Sequence, residues 1–378
     1  MNPQALVDFA PALRLALLAG VIALLPLSWV WLRQRGADTR GRLAALTALT
    51  LFLTFDLVVF GAFTRLTDSG LGCPDWPGCY GEASPFGAHA AIHAAQAELP
   101  SGPVTWNKAW IEMIHRYLAM TVGVLILALA AVSWRERRRL PFSLAWPLLT
   151  LVWVVVQGLF GKYTVTLKLY PAVVTLHLLG GLTLLGLLAA QHQAYRQRQL
   201  ALPAGLRSGV VAALLVLVVQ LALGGWVSSN YAVLACTGFP QCNGSWWPAA
   251  DFAGGFTLLR ELGGVAAHGR PLTLDDLVAI HLAHRLFAVL AALVLTALAW
   301  RLWRADEPAA QRYGAALALL LFAQLATGLS NVVLGWPLIA ALAHTAGAAG
   351  LVLTLSLLLA RSAAPRKGIR SVAATVAA

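Results

Sequence analysis

Residues 112–120 read EMIHRYLAM and residues 281–289 read HLAHRLFAV, each a His-Arg pair near the head of an apolar stretch. The paired histidines, His115 and His284, are 169 residues apart. Working outward, FGAFTRLTDSGLGCPDWPGCYG (60–81) precedes the first stretch and LGGWVSSNYAVLACTGFPQCNG (223–244) the second, each with a Cys-x5-Cys and offset by 163 residues. On the other side, Gln157 precedes His177 by 20 residues and Gln324 precedes His344 by the same 20, an offset of 167. Likeness between apolar helices explains any one match. Four landmarks in one order at a near-constant offset define an internal repeat.

The chain has 378 residues, 59% of them hydrophobic and 11% charged, with a net charge of +12 and a mean hydropathy of +0.74. Soluble domains carry about a quarter charged residues. The same figures exclude a disordered chain, a collagen-like repeat and a disulfide-dense secreted miniprotein. A span needs about 20 apolar residues, and nine such segments are present: 12–32, 43–64, 110–131, 143–163, 173–194, 208–229, 278–300, 313–334 and 337–360. The connections 33–42, 134–140, 194–207 and 301–312, with the tail from Arg361, hold 18 Lys and Arg against 4 acids; everything else holds 9 and 11. Basic loops stay in the cytoplasm. The expected topology therefore has a periplasmic N-terminus, a cytoplasmic C-terminus and periplasmic cysteine loops in a cell inner membrane. The positive charge is accounted for by topology, and no nucleic-acid partner is expected.

The fold expected is an all-α polytopic membrane protein of two parallel four-helix-bundle repeats plus one extra N-terminal transmembrane helix. Each repeat has an even number of spans, so both halves enter and leave on the same sides, related by an axis along the membrane normal. The divisions are 1–42 (extra helix and cytoplasmic loop), 43–200 and 201–361 (the two halves) and 362–378 (cytoplasmic tail). The first segment has a strongly basic exit, the reverse of a signal peptide, and reads as a retained helix.

Of nine histidines, His89, His93 and His268 fall in periplasmic loops and His192 at a cytoplasmic helix end, where they read as solvated surface groups. His281 and the four histidines His115, His177, His284 and His344 lie in spans, where ionisable groups are costly and point to function. Counted from the segment ends, all four sit roughly 6–11 Å below the outer boundary at 1.5 Å per residue. Two imidazoles from neighbouring parallel helices can clamp an iron, so each half is expected to hold one heme. Zinc usually adds Cys or carboxylate ligands, and a di-iron centre needs more inward acids than Glu112 and Asp56.

Glu112 lies one turn before His115, and its counterpart in the repeat is His281. The two sites are therefore chemically unequal: the first has an acid that could relay protons or stabilise positive charge on a substrate carbon. Arg116, Arg285 and Arg65 are candidates to pair with heme propionates at the outer boundary. Asp56, mid-span, is a weaker candidate for a proton path. In the oxidising outer loops, Cys73 is expected to pair with Cys79 and Cys236 with Cys242.

The motif GAFTRLTDSGLGCPDWPGCYG, followed by Glu112-Met-Ile-His115-Arg116 and the second His-Arg helix at His284, resembles the heme A synthase family over about 43–360. The resemblance implies a membrane oxidoreductase that converts heme O to heme A, oxidising the C8 methyl group to formyl through successive hydroxylations for use in cytochrome oxidases. It implies that His115 and His177 hold the substrate heme O and product heme A beside the acid Glu112, and that His284 and His344 hold a retained heme b. It implies membrane lipid as surroundings, heme O handed over by a heme O synthase, and an electron donor or acceptor not identified by sequence. Self-association into a homo-oligomer stays open. The segment 12–32 departs from the family pattern. The alternative class is a di-heme b-type electron-transfer membrane cytochrome without porphyrin chemistry. It would place its hemes near opposite membrane faces, whereas these histidines share one depth.

Overall fold

The computed structural model describes residues 10–140, 143–259 and 271–362; His268 and the tail beyond Ser362 lie outside them. The helices are α1 (Ala10–Arg33), α2 (Thr39–Leu66), α3 (His89–Glu98), α4 (Trp106–Arg135), α5 (Ala145–Thr166), α6 (Pro171–Arg196), α7 (Ala204–Ser229), α8 (Phe252–Gly255), α9 (Leu274–Trp303), α10 (Pro308–Val333) and α11 (Leu338–Arg361). All except α3 and α8 are long and apolar enough to cross a membrane, nine among the described residues. The chain is a multi-pass, all-helical membrane protein, as its composition requires.

Helix starts follow local chemistry. Asp38 caps α2 through Gly41 N, and Thr105 caps α4 by accepting from Lys108 N. Thr273 and Asp276 form a reciprocal capping box on α9, satisfying amide groups that would otherwise be left bare. These caps extend α4 and α9 past their apolar segments. His115 lies nine residues after Trp106 and His177 six after Pro171; His284 lies ten after Leu274 and His344 six after Leu338. Measured from helix ends, the four sit roughly 9–15 Å down; His115 and His284 are deeper than the apolar segments implied because those counts omitted the capped polar first turns, while His177 and His344 change by two residues or fewer. Matching histidines keep matching depths.

In the first half, α2, α4, α5 and α6 pack as a square in that order; in the second, α7, α9, α10 and α11 do the same. The halves meet through α6 on α11, with α6 on α7 and α2 on α11 as the symmetric flanks. This pattern is that of a two-fold axis along the helices. The shared core includes Leu182, Leu185, Leu217, Leu351 and Leu355. Helix α1 stands outside the repeat and packs on α4 and α2. At the basic end its Ala23 and Val30 join Leu43, Leu125 and Leu129. At the loop end its Leu15 is buried with Cys73, Cys79, Ile92 and Met113.

Sequence periodicity missed α3, ten residues in the first long loop. It lies over α4, where His89, His93 and Phe86 ring Trp106. His192 is also not the solvated group expected: its Nδ1 lies 3.0 Å from Ala44 O, tying α6 to α2.

Candidate paired-histidine site

A cavity of about 1780 Å³ runs through both halves and is lined by His115, His177, His284 and His344. His115 (α4) and His177 (α6) come from opposite corners of the first square, as do His284 (α9) and His344 (α11) of the second. They face one another across the bundle, where the sequence had placed them on neighbouring helices. Diagonal placement leaves the middle of each square for a ligand.

A glycine from an adjacent helix backs each ring. A Cβ on Gly61 (α2) would stand 3.0 Å from His115 Cε1, and one on Gly224 (α7) 3.1 Å from His284 Cε1. On Gly161 (α5) it would stand 3.6 Å from His177 Cε1, and on Gly328 (α10) 3.2 Å from His344 Cε1. These four glycines obey the repeat offsets. Their register was visible in the sequence, though only packing shows what they face.

The donor set fits an iron porphyrin. Among the described residues no group of three or more His, Cys, Asp or Glu is placed to hold a metal; the imidazoles come only as opposed pairs. A porphyrin supplies its own equatorial nitrogens and asks the protein for axial ligands alone. The Nδ1 atoms of His115 and His177 are buried and without a partner among the described residues. The rest of the cavity wall is mostly apolar, with Leu57, Val58, Val154, Leu221 and Leu321 among its lining, as a macrocycle requires.

Glu112 lines the cavity and is anchored to the cysteine loop. Its Oε2 accepts from Cys73 N at 2.8 Å and its Oε1 from Arg116 Nη2 at 2.5 Å. Arg116 also donates to the carbonyls of Asp75, Pro77 and Gly78. In the second half the arrangement recurs with an imidazole. His281 Nδ1 lies 3.4 Å from Cys236 N and its Nε2 3.1 Å from Arg285 Nε, and a neutral imidazole can accept at only one of them, while Arg285 donates to Cys236, Gly238 and Gln241 carbonyls. The anchor is an ion pair in one half and neutral on the acceptor side in the other. Both disulfides, Cys73–Cys79 and Cys236–Cys242, close within their own motifs.

Arg65 lines the same cavity and links the halves, donating to Ser228 O at 2.6 Å and to Asp68 at 3.1 Å, with its guanidinium 4.0 Å from the Tyr231 ring centre. Tyr231 donates to Asp68 at 2.9 Å; burial raises its phenol above the usual range, opposed by Arg65. Asp56 is on the exposed face of α2, away from the cavity lining.

The cavity reaches the outside of each bundle between two helices. Leu127 (α4) and Val155 (α5) line it, yet are 55% and 57% exposed; Leu293 (α9) and Leu325 (α10) line it at 65% and 51%.

Fold and site define a class: a multi-pass helical membrane protein whose repeated halves each present a histidine pair to an internal cavity. The chain belongs to the COX15-CtaA family of cytochrome oxidase assembly proteins, whose model matches residues 44–356. It is 39% identical to the heme A synthase of Shewanella oneidensis over 83% of this chain and 94% of that protein. The heme A synthase of a Methylobacterium species is 32% identical over 85% of this chain and 92% of its own length. That of Halalkalibacterium halodurans is 26% identical over 75% and 85%. Helix α1 lies before the matched region.

Proposed function

We propose that this chain is a heme A synthase, an oxidoreductase that takes heme O as substrate and oxidises its C8 methyl group to formyl. Family membership and relatives named for this activity support it. The observation that carries the assignment of roles is the break in symmetry: two like histidine pairs, with Glu112 beside one and His281 beside the other.

On this reading the first half, 43–200, binds the substrate porphyrin between His115 and His177. The second half, 201–361, holds a resident heme b between His284 and His344. The resident heme, when bound, supplies one-electron redox chemistry. The protein's part is to fix the macrocycle, exclude water and place charge. Glu112 puts a carboxylate where positive charge develops as the methyl group loses electrons, an electrostatic role suited to a low-dielectric cavity. Cys73 N and Arg116 hold that carboxylate in one position. Arg65, Arg116 and Arg285 form the cationic rim on the loop side, where heme carboxylates would lie.

The distribution of 18 basic residues and 4 acids over one set of connections supports an inner-membrane orientation with the C-terminus cytoplasmic, the N-terminus periplasmic and the cysteine loops periplasmic. Methyl-to-formyl oxidation releases electrons, so an electron partner is part of the proposal. A heme O synthase delivering substrate and a homo-oligomeric state belong to it as well.

The test is pigment extraction from cells carrying this chain beside a source of heme O. Chromatography is expected to show heme A and its hydroxylated precursor. Purified protein without tetrapyrrole, or heme O left unchanged, would overturn the reading.

A further inference from the structure

The four cavity histidines differ in what holds their far nitrogen. Thr327 Oγ1 lies 3.0 Å from His344 Nδ1 and donates its own proton to Ala323 O at 2.7 Å. The hydroxyl can therefore only accept from the ring, which places the proton on Nδ1 and leaves Nε2 bare. His284 Nδ1 lies 3.1 Å from the side-chain amide of Gln220, whose Oε1 is otherwise without a partner among the described residues. Turning that amide end for end would present Oε1 to an Nδ1–H, in exchange for the donation from Gln220 Nε2 to His284 O at 3.4 Å. In the second half, His344 thus has an acceptor at Nδ1, and His284 has a side-chain amide against its ring whose oxygen can serve as one.

The first half lacks both acceptors. At the repeat offsets of 163 and 167, Gln220 is matched by Leu57 and Thr327 by Phe160. Neither can accept a hydrogen bond, and His115 Nδ1 and His177 Nδ1 are buried without partners among the described residues. Ligating histidines ordinarily give this N–H to an acceptor, which fixes ring orientation and raises ligand basicity.

We propose that Gln220 and Thr327 are positioning residues that make the second half a permanent heme site, and that Leu57 and Phe160 at the matching places make the first half an exchanging one. The proposal rests on both histidine pairs binding heme, and it supplies what that function demands. A substrate porphyrin must enter and leave, while a resident one must stay through many turnovers. Two substituted positions set this difference without changing the ligands.

The experiment uses the full chain purified with heme and mixed with excess apomyoglobin, which captures released heme. Two phases are expected, fast from the first half and slow from the second. Gln220→Leu with Thr327→Val should accelerate the slow phase by about 10- to 100-fold, the usual effect of losing such partners. It should also raise the midpoint potential of the slowly exchanging heme, since a less basic imidazole stabilises ferric iron less. Leu57→Gln with Phe160→Thr should slow the fast phase. Gln220→Glu, which keeps an acceptor on Nδ1, should retain the slow rate, separating the hydrogen bond from simple packing. One release rate for both hemes, or rates and potentials indifferent to these exchanges, would overturn the proposal while leaving heme binding intact. Protein with no heme at all would overturn the functional reading with it.

Discussion

Glu112 Oε1 lies 2.5 Å from Arg116 Nη2 one helical turn on, and both side chains are buried. The pair joins three things: the helix carrying His115, the cavity wall and the loop closed by Cys73–Cys79. Substitution at Glu112 therefore acts on structure as well as on charge.

Glu112→Gln keeps the shape and one acceptor oxygen, for Cys73 N or for Arg116, and removes the negative charge. It should retain both hemes and lower heme A formation by about 10²-fold or more, as loss of a transition-state electrostatic group does. Glu112→Ala should show the same loss of product and also melt earlier, because Arg116 is left buried and unpaired at a cost of about 3–5 kcal/mol. Pigment extraction and thermal unfolding together measure both effects. Parental product from the Gln variant would remove the electrostatic role.

His284→Ala should lose the retained heme and keep the first-half pocket, so pyridine hemochrome content per chain falls to about half while substrate heme still binds. The reverse variant, His115→Ala, should leave a low-potential heme that is slow to dissociate. Loss of all heme from His284→Ala would mean that the halves do not bind independently.

The glycine backing gives a graded test. Gly61→Ala puts a methyl 3.0 Å from His115 Cε1, tight enough that the ring must shift by a few tenths of an ångström, whereas Gly161→Ala puts one at an ordinary 3.6 Å from His177. Gly61→Ala should disturb iron ligation in the first half, visible as altered low-spin electron paramagnetic resonance. Gly161→Ala should leave that spectrum unchanged. Equal effects would show that the rings are not seated against these helices.

Opening the first disulfide with Cys73→Ser and Cys79→Ser frees a short loop, worth about 2 kcal/mol in the chain-entropy account. The loop carbonyls and Cys73 N hold Arg116 and Glu112, so this variant should lose heme A formation more than the matching Cys236→Ser, Cys242→Ser variant, whose loop holds the neutral His281. Equal losses would mean that the loops act alike.

Much of this was legible in the sequence because it repeats. Spans, the pairing of His115 with His177 and His284 with His344, the closing of each Cys-x5-Cys and the exchange of Glu112 for His281 all follow from register along the chain. Register does not show which helices sit diagonally, so the sequence alone puts His115 and His177 on neighbouring helices. Hydropathy does not weigh capped polar turns, and Thr105 and Thr273 therefore set His115 and His284 deeper than the apolar segments imply. Gln220 and Thr327 were hidden for a related reason: a polar residue among apolar ones gains meaning only from the imidazole opposite it. Helix α3 escaped because ten residues of Ala, His and Gln carry little periodicity.

The sideways mouths between α4 and α5 and between α9 and α10, marked by Leu127, Val155, Leu293 and Leu325, have a practical side. Solubilisation wraps this protein in surfactant, whose acyl tails settle against the same exposed leucines and valines. Turnover in micelles thus reports competition between tail and tetrapyrrole as well as chemistry, and bilayer nanodiscs or native vesicles are the setting in which rates from different laboratories should agree.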